Sequence, residues 1–153
     1  MSLKNNKQKI YLLVFIFFLF FAFFWQRFYF QKIEINLANQ ELKVLVAKSI
    51  YQQKKGLGGR KEMKNFDAML FPYNSLARHG IVMRDMNFAI DIIWLKNTEI
   101  VDMAPHVDPE PGVDEAKLHI YYPRTVANMV LELPAGFIEQ NQLKIGDKIL
   151  IVE

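Results

Sequence analysis

The chain has 153 residues, 52% of them hydrophobic, with 19 Lys and Arg against 16 Asp and Glu and no cysteine. That length supports one domain around one core, and the lack of cysteine excludes disulfides and thiolate chemistry. The net charge of +3 is local: Lys4, Lys7, Lys9, Arg27 and Lys32 lie at or before position 32 with no acidic residue among them, which leaves the rest with 14 basic against 16 acidic residues. A net of −2 beyond that point gives no argument for nucleic acid as a partner.

The first element is "IYLLVFIFFLFFAFFW", Ile10 to Trp25, which has no charge and holds seven of the 13 Phe. Sixteen helical residues span about 24 Å at ~1.5 Å each, close to a hydrocarbon core of about 30 Å. Gln26 and Arg27 can snorkel outward, and Phe28, Tyr29 and Phe30 carry apolar character to the interface. The bulky exit "FAFFWQRFYFQK" lacks the small residues of a cleavage site, so an uncleaved signal anchor is expected. The lysines before it favour a cytoplasmic N-terminus. The expected organisation is a basic cytoplasmic segment (1–9), a single-pass transmembrane anchor (10–30) and an extracytoplasmic domain (33–153) on the periplasmic or cell-surface side. The cytoplasmic membrane is thus the first expected partner.

Ile33, Ile35 and Leu37, then Leu42, Val44 and Val46, alternate as two strands, with a hairpin turn at Asn39-Gln40. A short helix starts at Ser49 and stops at Gly56. "AMLF" reads as a strand closed by Pro72, "GIVM" as another, and "AIDIIWL" as a third that turns at Asn97-Thr98 into "EIVDMA". Residues 105–115, "PHVDPEPGVDE", form a loop. "KLHIYY" and "NMVLELP" are further strands, a short helix follows from Ala135, and "LKIGDKILIVE" ends in a Gly-Asp turn and a last strand. Strands dominate and no repeat is visible. The expected fold is α+β and mainly antiparallel, a partly closed barrel-like sheet with short helices.

Five of these segments come in a recognisable order: "GLGGR" (Gly56–Arg60), "DAMLFP" (Asp67–Pro72), "VMRDMNFAIDIIWL" (Val82–Leu95), "VLELPAG" (Val130–Gly136) and "LKIGDKI" (Leu143–Ile149). Together the chain from about Leu42 to Val152 resembles the domain of unknown function 192 family, whose members are often exported or membrane-anchored. The resemblance implies a small, mostly β domain and no particular activity. Three positions depart from the family pattern: Gly58 where a bulkier residue is usual, Val82 where an aromatic is common, and Asp85 in place of asparagine. If they line a pocket, it is altered or enlarged here.

Two carboxylates stand out. Glu132 alternates with Val130 and Asn128 on one face of its strand, opposite Met129, Leu131 and Leu133. It either faces water or turns inward to a polar cleft with a basic partner. Pro134 cannot donate to a ladder and ends that strand. Asp91 has apolar neighbours on both sides, and an ionised carboxylate is rarely buried alone. Either its face is exposed or it has a partner, for which Arg60 or Arg84 is the natural candidate. Arg60, Arg84, Asp91 and Glu132 are therefore the candidate ligand-binding cluster, suited to a sugar or a small acid.

Other patterns are weaker. His79, His106 and His119 lack a metal-ligand spacing, the acidic loop 108–115 lacks calcium-loop order, and Ser75, His79 and Asp85 lack nucleophile-elbow glycines. "GLGGR" lacks the Gly-Lys-Ser/Thr ending of a phosphate loop. No cofactor, metal or catalytic set is assigned. The reading that follows is a membrane-anchored extracytoplasmic binding or accessory module for a small molecule, a glycan or an envelope protein. Its alternative is an envelope enzyme with Asp91 or Glu132 as general acid or base. A third reading, an assembly partner whose anchor packs on other membrane helices, lacks the small residues that such packing uses.

Overall fold

The computed structural model describes residues 3–152, and the side chains of 3–5, 23, 24 and 26–28 lie outside that description. The chain forms helix α1 (Leu3–Phe28), strands β1 (Gln31–Leu37) and β2 (Gln40–Val46), helix α2 (Ile50–Lys55), strands β3 (Ala68–Ala77), β4 (Ile90–Lys96), β5 (Glu99–Val107) and β6 (Ala127–Pro134), helix α3 (Phe137–Gln140) and strand β7 (Leu150–Val152). A single 3-10 turn occupies Glu115–Lys117.

The seven strands make one mixed sheet in the order β5-β4-β6-β3-β2-β1-β7. All pairs are antiparallel except β2 with β3. A parallel neighbour needs a crossover, and α2 with the loop after it supplies one. The sheet is α+β but not closed. The outermost strands β5 and β7 do not pair with each other, and the approach to β7 touches β5 only at the Glu99–Lys148 bridge, with flanking backbone bonds such as Ile100 N–H to the Asp147 carbonyl at 2.8 Å. The expected barrel closure is thereby corrected. The bonds at the start of β5 come from residues 146–149, ahead of β7, and they do not continue as a ladder between the two edge strands.

Most local signals hold. Ser49 caps α2 by accepting from the Gln52 N–H, and the Gln52 side chain returns to the Ser49 N–H, a complete capping box. The first hairpin turns one residue earlier than expected, at Ala38-Asn39, with φ of 54° and 60°. Two central residues at positive φ match the right-handed twist of the strands they join. "GIVM" and "KLHIYY" do not form strands, and only an Ile81–Tyr121 bridge links them.

Both faces of the sheet are covered. One buries Met69, Phe71, Ile90, Ile92, Trp94 and Val130 beneath Leu57, Phe66 and Met83. The other buries Ile35, Val44, Leu70, Ile93, Leu131 and Leu133 beneath Ile138, Leu143 and Ile149. Each fully buried aliphatic side chain contributes about 1.5–3 kcal/mol, so β4 and β6, apolar on both faces, are the mechanical centre.

Helix α1 stands apart from these two cores. Its side chains from Ile10 to Phe21 are between 47% and 71% exposed. Among the described residues no helix is long and apolar enough to cross a membrane. The transmembrane segment expected over 10–30 is therefore not part of the described fold: the unbroken described apolar run covers only 10–22, about 20 Å at ~1.5 Å per residue. The expected roles of Lys4, Gln26, Arg27 and Phe28 lie outside the described residues.

Candidate functional site

The pairing register separates the two carboxylates. Glu132 on β6 lies opposite Met69 of β3 and Ile92 of β4, whereas Asp91 lies opposite Leu133. Because side chains alternate along a strand, Glu132 points to the face of Ile92 and Val130, and Asp91 points to the face of Ile93 and Leu133. One sheet stands between them.

Asp91 has no exposed surface, and its partners are not arginines. Its carboxylate accepts from the backbone N–H of His106 at 2.8 Å, Gly136 at 3.1 Å and Ile138 at 2.7 Å. The local geometry explains this. The β4–β5 register slips between Ile90 and Ile92, and His106 sits at φ 50°, so its N–H leaves the ladder. Gly136 and Ile138 open α3, where the first N–H groups of a helix lack intrahelical acceptors. One carboxylate closes both gaps. The expected Asp91–arginine pair is replaced by a backbone clamp, and Asp91 lines no cavity near the other candidates.

Glu132 is the opposite case. It is 6% exposed, and among the described residues no hydrogen bond or ion pair reaches its carboxylate. Burial without compensation pushes its pKa up to about 8, because a low-dielectric site disfavours the charged form. The group is thus a neutral carboxyl at neutral pH. It lines a cavity of about 180 Å³ with Lys54, Leu57, Tyr73, Met83, Arg84 and Ile90. The Tyr73 hydroxyl is pushed up to about 12 by burial and by the nearby Glu132 charge. Glu132 turns inward, as one of the two readings had it, but without the basic partner.

Arg84 lines the same cavity and also a wider groove of about 560 Å³ formed with Asp85, Asn87, Glu110 and Glu115. Its guanidinium pairs with Glu115 at 2.7 Å and donates to the Lys54 carbonyl at 3.0 Å. Its Nε is buried with no partner among the described residues. Arg60 is elsewhere: its guanidinium lies over the rings of Phe66, at 5.2 Å, and Phe30, at 5.8 Å, and burial lowers its pKa. Of the four candidates, then, Arg84 and Glu132 share a cavity, and Arg60 and Asp91 do not.

Tyr73 was missed from sequence. The signal was present in the alternation Met69, Phe71, Tyr73, which continues on one face of β3 past Pro72. The departures from the family pattern also find places. Gly58 and Val82 line the Glu132 cavity, and Asp85 lines the groove. Gly58 does not enlarge the cavity, because a Cβ there would stand 2.8 Å from the Arg84 carbonyl oxygen. Its smallness lets the 84–85 backbone approach. Asp85 has φ 53°, a left-handed conformation that Asn and Asp tolerate best after glycine.

Comparison with family models places residues 32–151 in the family DUF192, described as "Uncharacterized ACR". The chain belongs to the DUF192 family. Among solved structures it is similar to "a putative transcription regulator" from Sinorhizobium meliloti 1021, at 20% identity and TM-score 0.67, covering 80% of this chain and 94% of that one. It is also similar to a protein of unknown function from Novosphingobium aromaticivorans DSM 12444, at 20% identity and TM-score 0.64, covering 78% and 84%. At that identity the likeness concerns the fold. No curated protein matches the sequence. As a DUF192 domain the chain keeps its cavity, and its sheet but for one residue at either end, within the matched residues, and α1 precedes them.

Proposed function

We propose that this DUF192 protein is a membrane-anchored binding module whose cavity beside Glu132 receives a small molecule, or one end of a larger glycan or envelope component. The observation that carries the reading is Glu132 itself: a buried carboxyl facing a cavity with no partner. Its carboxyl borders the cavity, so a ligand seated there can supply the hydrogen bonds that the fold does not. Arg84, whose Nε is buried without a partner among the described residues, lines the same cavity.

Anchoring is supported by the uncharged run from Ile10 to Trp25 after three lysines, and by apolar side chains on α1 that water alone would leave uncovered. The globular part then lies on the extracytoplasmic side. The regulator description of one structural neighbour is not carried over, since a domain of net charge −2 presents no excess of cations to phosphates.

The test is native mass spectrometry of the full chain extracted in mild detergent, with alkaline carbonate extraction of membranes alongside. Retention of an extra mass by wild type and its loss from Arg84→Gln is the expected result. Release by carbonate would reject the anchor, and a bare mass together with no stabilisation by any small molecule would reject the module.

One observation favours a second reading. A carboxyl in a cavity whose pKa is pushed up to about 8 carries its proton at neutral pH and suits a general acid. Asp91 takes no part in it, because its oxygens already serve three backbone donors. Turnover of a bound compound by wild type but not by Glu132→Gln would put this reading first.

A further inference from the structure

We propose that the cavity lined by Glu132, Arg84 and Tyr73 takes the carboxylate end of a small organic monoacid with a short apolar body. The inference rests on the binding reading above and narrows it to one ligand class. The polar side chains supply several donors: the Lys54 ammonium, Arg84, whose Nε is buried without a partner among the described residues, the Tyr73 phenol, and a carboxyl that carries its proton. The rest of the wall is apolar, with Leu57, Phe71, Ile81, Met83, Met86 and Ile90. A sugar presents hydroxyls around its whole ring and needs polar partners on several sides, whereas the polar groups here are few beside an apolar wall. A carboxylate concentrates its acceptors at one end and leaves an alkyl remainder for the aliphatic wall. About 180 Å³ equals roughly six waters at ~30 Å³ each, which suits an acid of about six heavy atoms.

The arrangement has a consequence in pH. A neutral Glu132 donates its proton into a hydrogen bond with the bound carboxylate, whereas an ionised Glu132 repels it. The charged and titratable groups facing it are Tyr73 on β3, Arg84 in the 84–87 loop and Lys54 on α2. Tyr73 does not lose its proton in the range concerned. Affinity should hold across neutral pH and fall as Glu132 ionises above about 8.

Calorimetric titration of the full chain in detergent with acetate through hexanoate tests this, with butyramide and a methyl glucoside as uncharged controls. The expected result is binding of a three- to six-carbon acid at pH 7 and about tenfold weaker binding at pH 9, from the proton lost by Glu132. Glu132→Gln keeps a donor, so its affinity should change less than about twofold between those pH values. Arg84→Gln should weaken the acid about tenfold or more at both. Amide or glucoside binding as tight as the acid overturns the carboxylate assignment and leaves the binding module standing. Affinity independent of pH in wild type overturns the role of Glu132. No binding by any of these probes overturns the inference, while the retained mass in the previous experiment decides the module separately.

Discussion

Asp91 and Glu132 are both buried carboxylates, on adjacent strands of one sheet, and they have opposite fates. Asp91 sits on the face covered by α3 and is satisfied by three backbone N–H groups. Glu132 sits on the face walled by α2 and the 80–86 segment, and no partner reaches it among the described residues. Burial is therefore not the variable that separates structure from function here. What separates them is whether the fold supplies the hydrogen bonds. Where it does, the carboxylate joins two elements. Where it does not, the site is left for something else to complete.

The largest expected effect breaks the satisfied side. Asp91→Ala leaves three backbone donors buried without an acceptor, and it should destabilise the domain by about 3–5 kcal/mol in urea denaturation. Asp91→Asn keeps one acceptor oxygen and should lose less. If Glu132→Ala proved more damaging than Asp91→Ala, the contrast between the two faces would collapse.

The next test sharpens the unsatisfied side through pH. The folded-state pKa of Glu132, about 8, lies above its ordinary 4.5, so the native state holds a proton that the unfolded chain releases. Stability from this group is fully present below about 4.5 and declines as pH rises towards about 8. Glu132→Gln removes that decline. Between pH 5 and pH 8 the variant should gain roughly 3 kcal/mol on wild type, read as the change in their difference in denaturation free energy. A constant difference across that range would mean that Glu132 is solvated in solution.

Gly58 connects the cavity to the backbone that shapes it. A Cβ at Gly58 would meet the Arg84 carbonyl oxygen at 2.8 Å and that of Lys55 at 3.1 Å. Gly58→Ala should cost about 2 kcal/mol by forcing the 84–85 backbone away. It should also move the Arg84 guanidinium off Glu115, which a weaker response of the cavity to Arg84→Gln would reveal.

How much of this was legible in the residues follows from range. Ser49 and Gly56 bracketed α2, and the hydrophobic pattern announced β4 and β6, because these signals act within one turn or one strand. The apolar neighbours of Asp91 narrowed it to an exposed face or a partnered burial, and it is buried. Its partners were not legible. They are backbone N–H groups at His106, Gly136 and Ile138, and backbone donors carry no side-chain signature. The same limit explains why neither Arg60 nor Arg84 pairs with Asp91: strand register decides which face a residue takes, and one sheet divides Asp91 from Glu132 and Arg84. "GIVM" and "KLHIYY" had strand composition, yet strand pairing beyond Ile81–Tyr121 never forms. Closure of the sheet depended on pairing between its two edge strands, β5 and β7, which lie far apart in the chain, so no local pattern fixes it.

The smallest expected effect concerns the wall itself. Ser49 accepts from the Gln52 N–H at 3.2 Å, and the Gln52 side chain accepts from Lys48 and Ser49 and donates to the Tyr29 carbonyl at 2.9 Å. That network fixes α2 between the end of α1 and the cavity, just as Asp91 fixes α3 on the other face. Ser49→Ala removes one bond of four and should cost about 1 kcal/mol, the usual worth of an N-cap. Hydrogen exchange should rise in residues 50–57 and stay unchanged at 136–140. A loss as large as that of Asp91→Ala, or exchange rising on both faces together, would mean that the sheet binds α2 and α3 into one cooperative unit. The expected outcome is the other one, in which the cavity wall loosens alone while the clamped face holds.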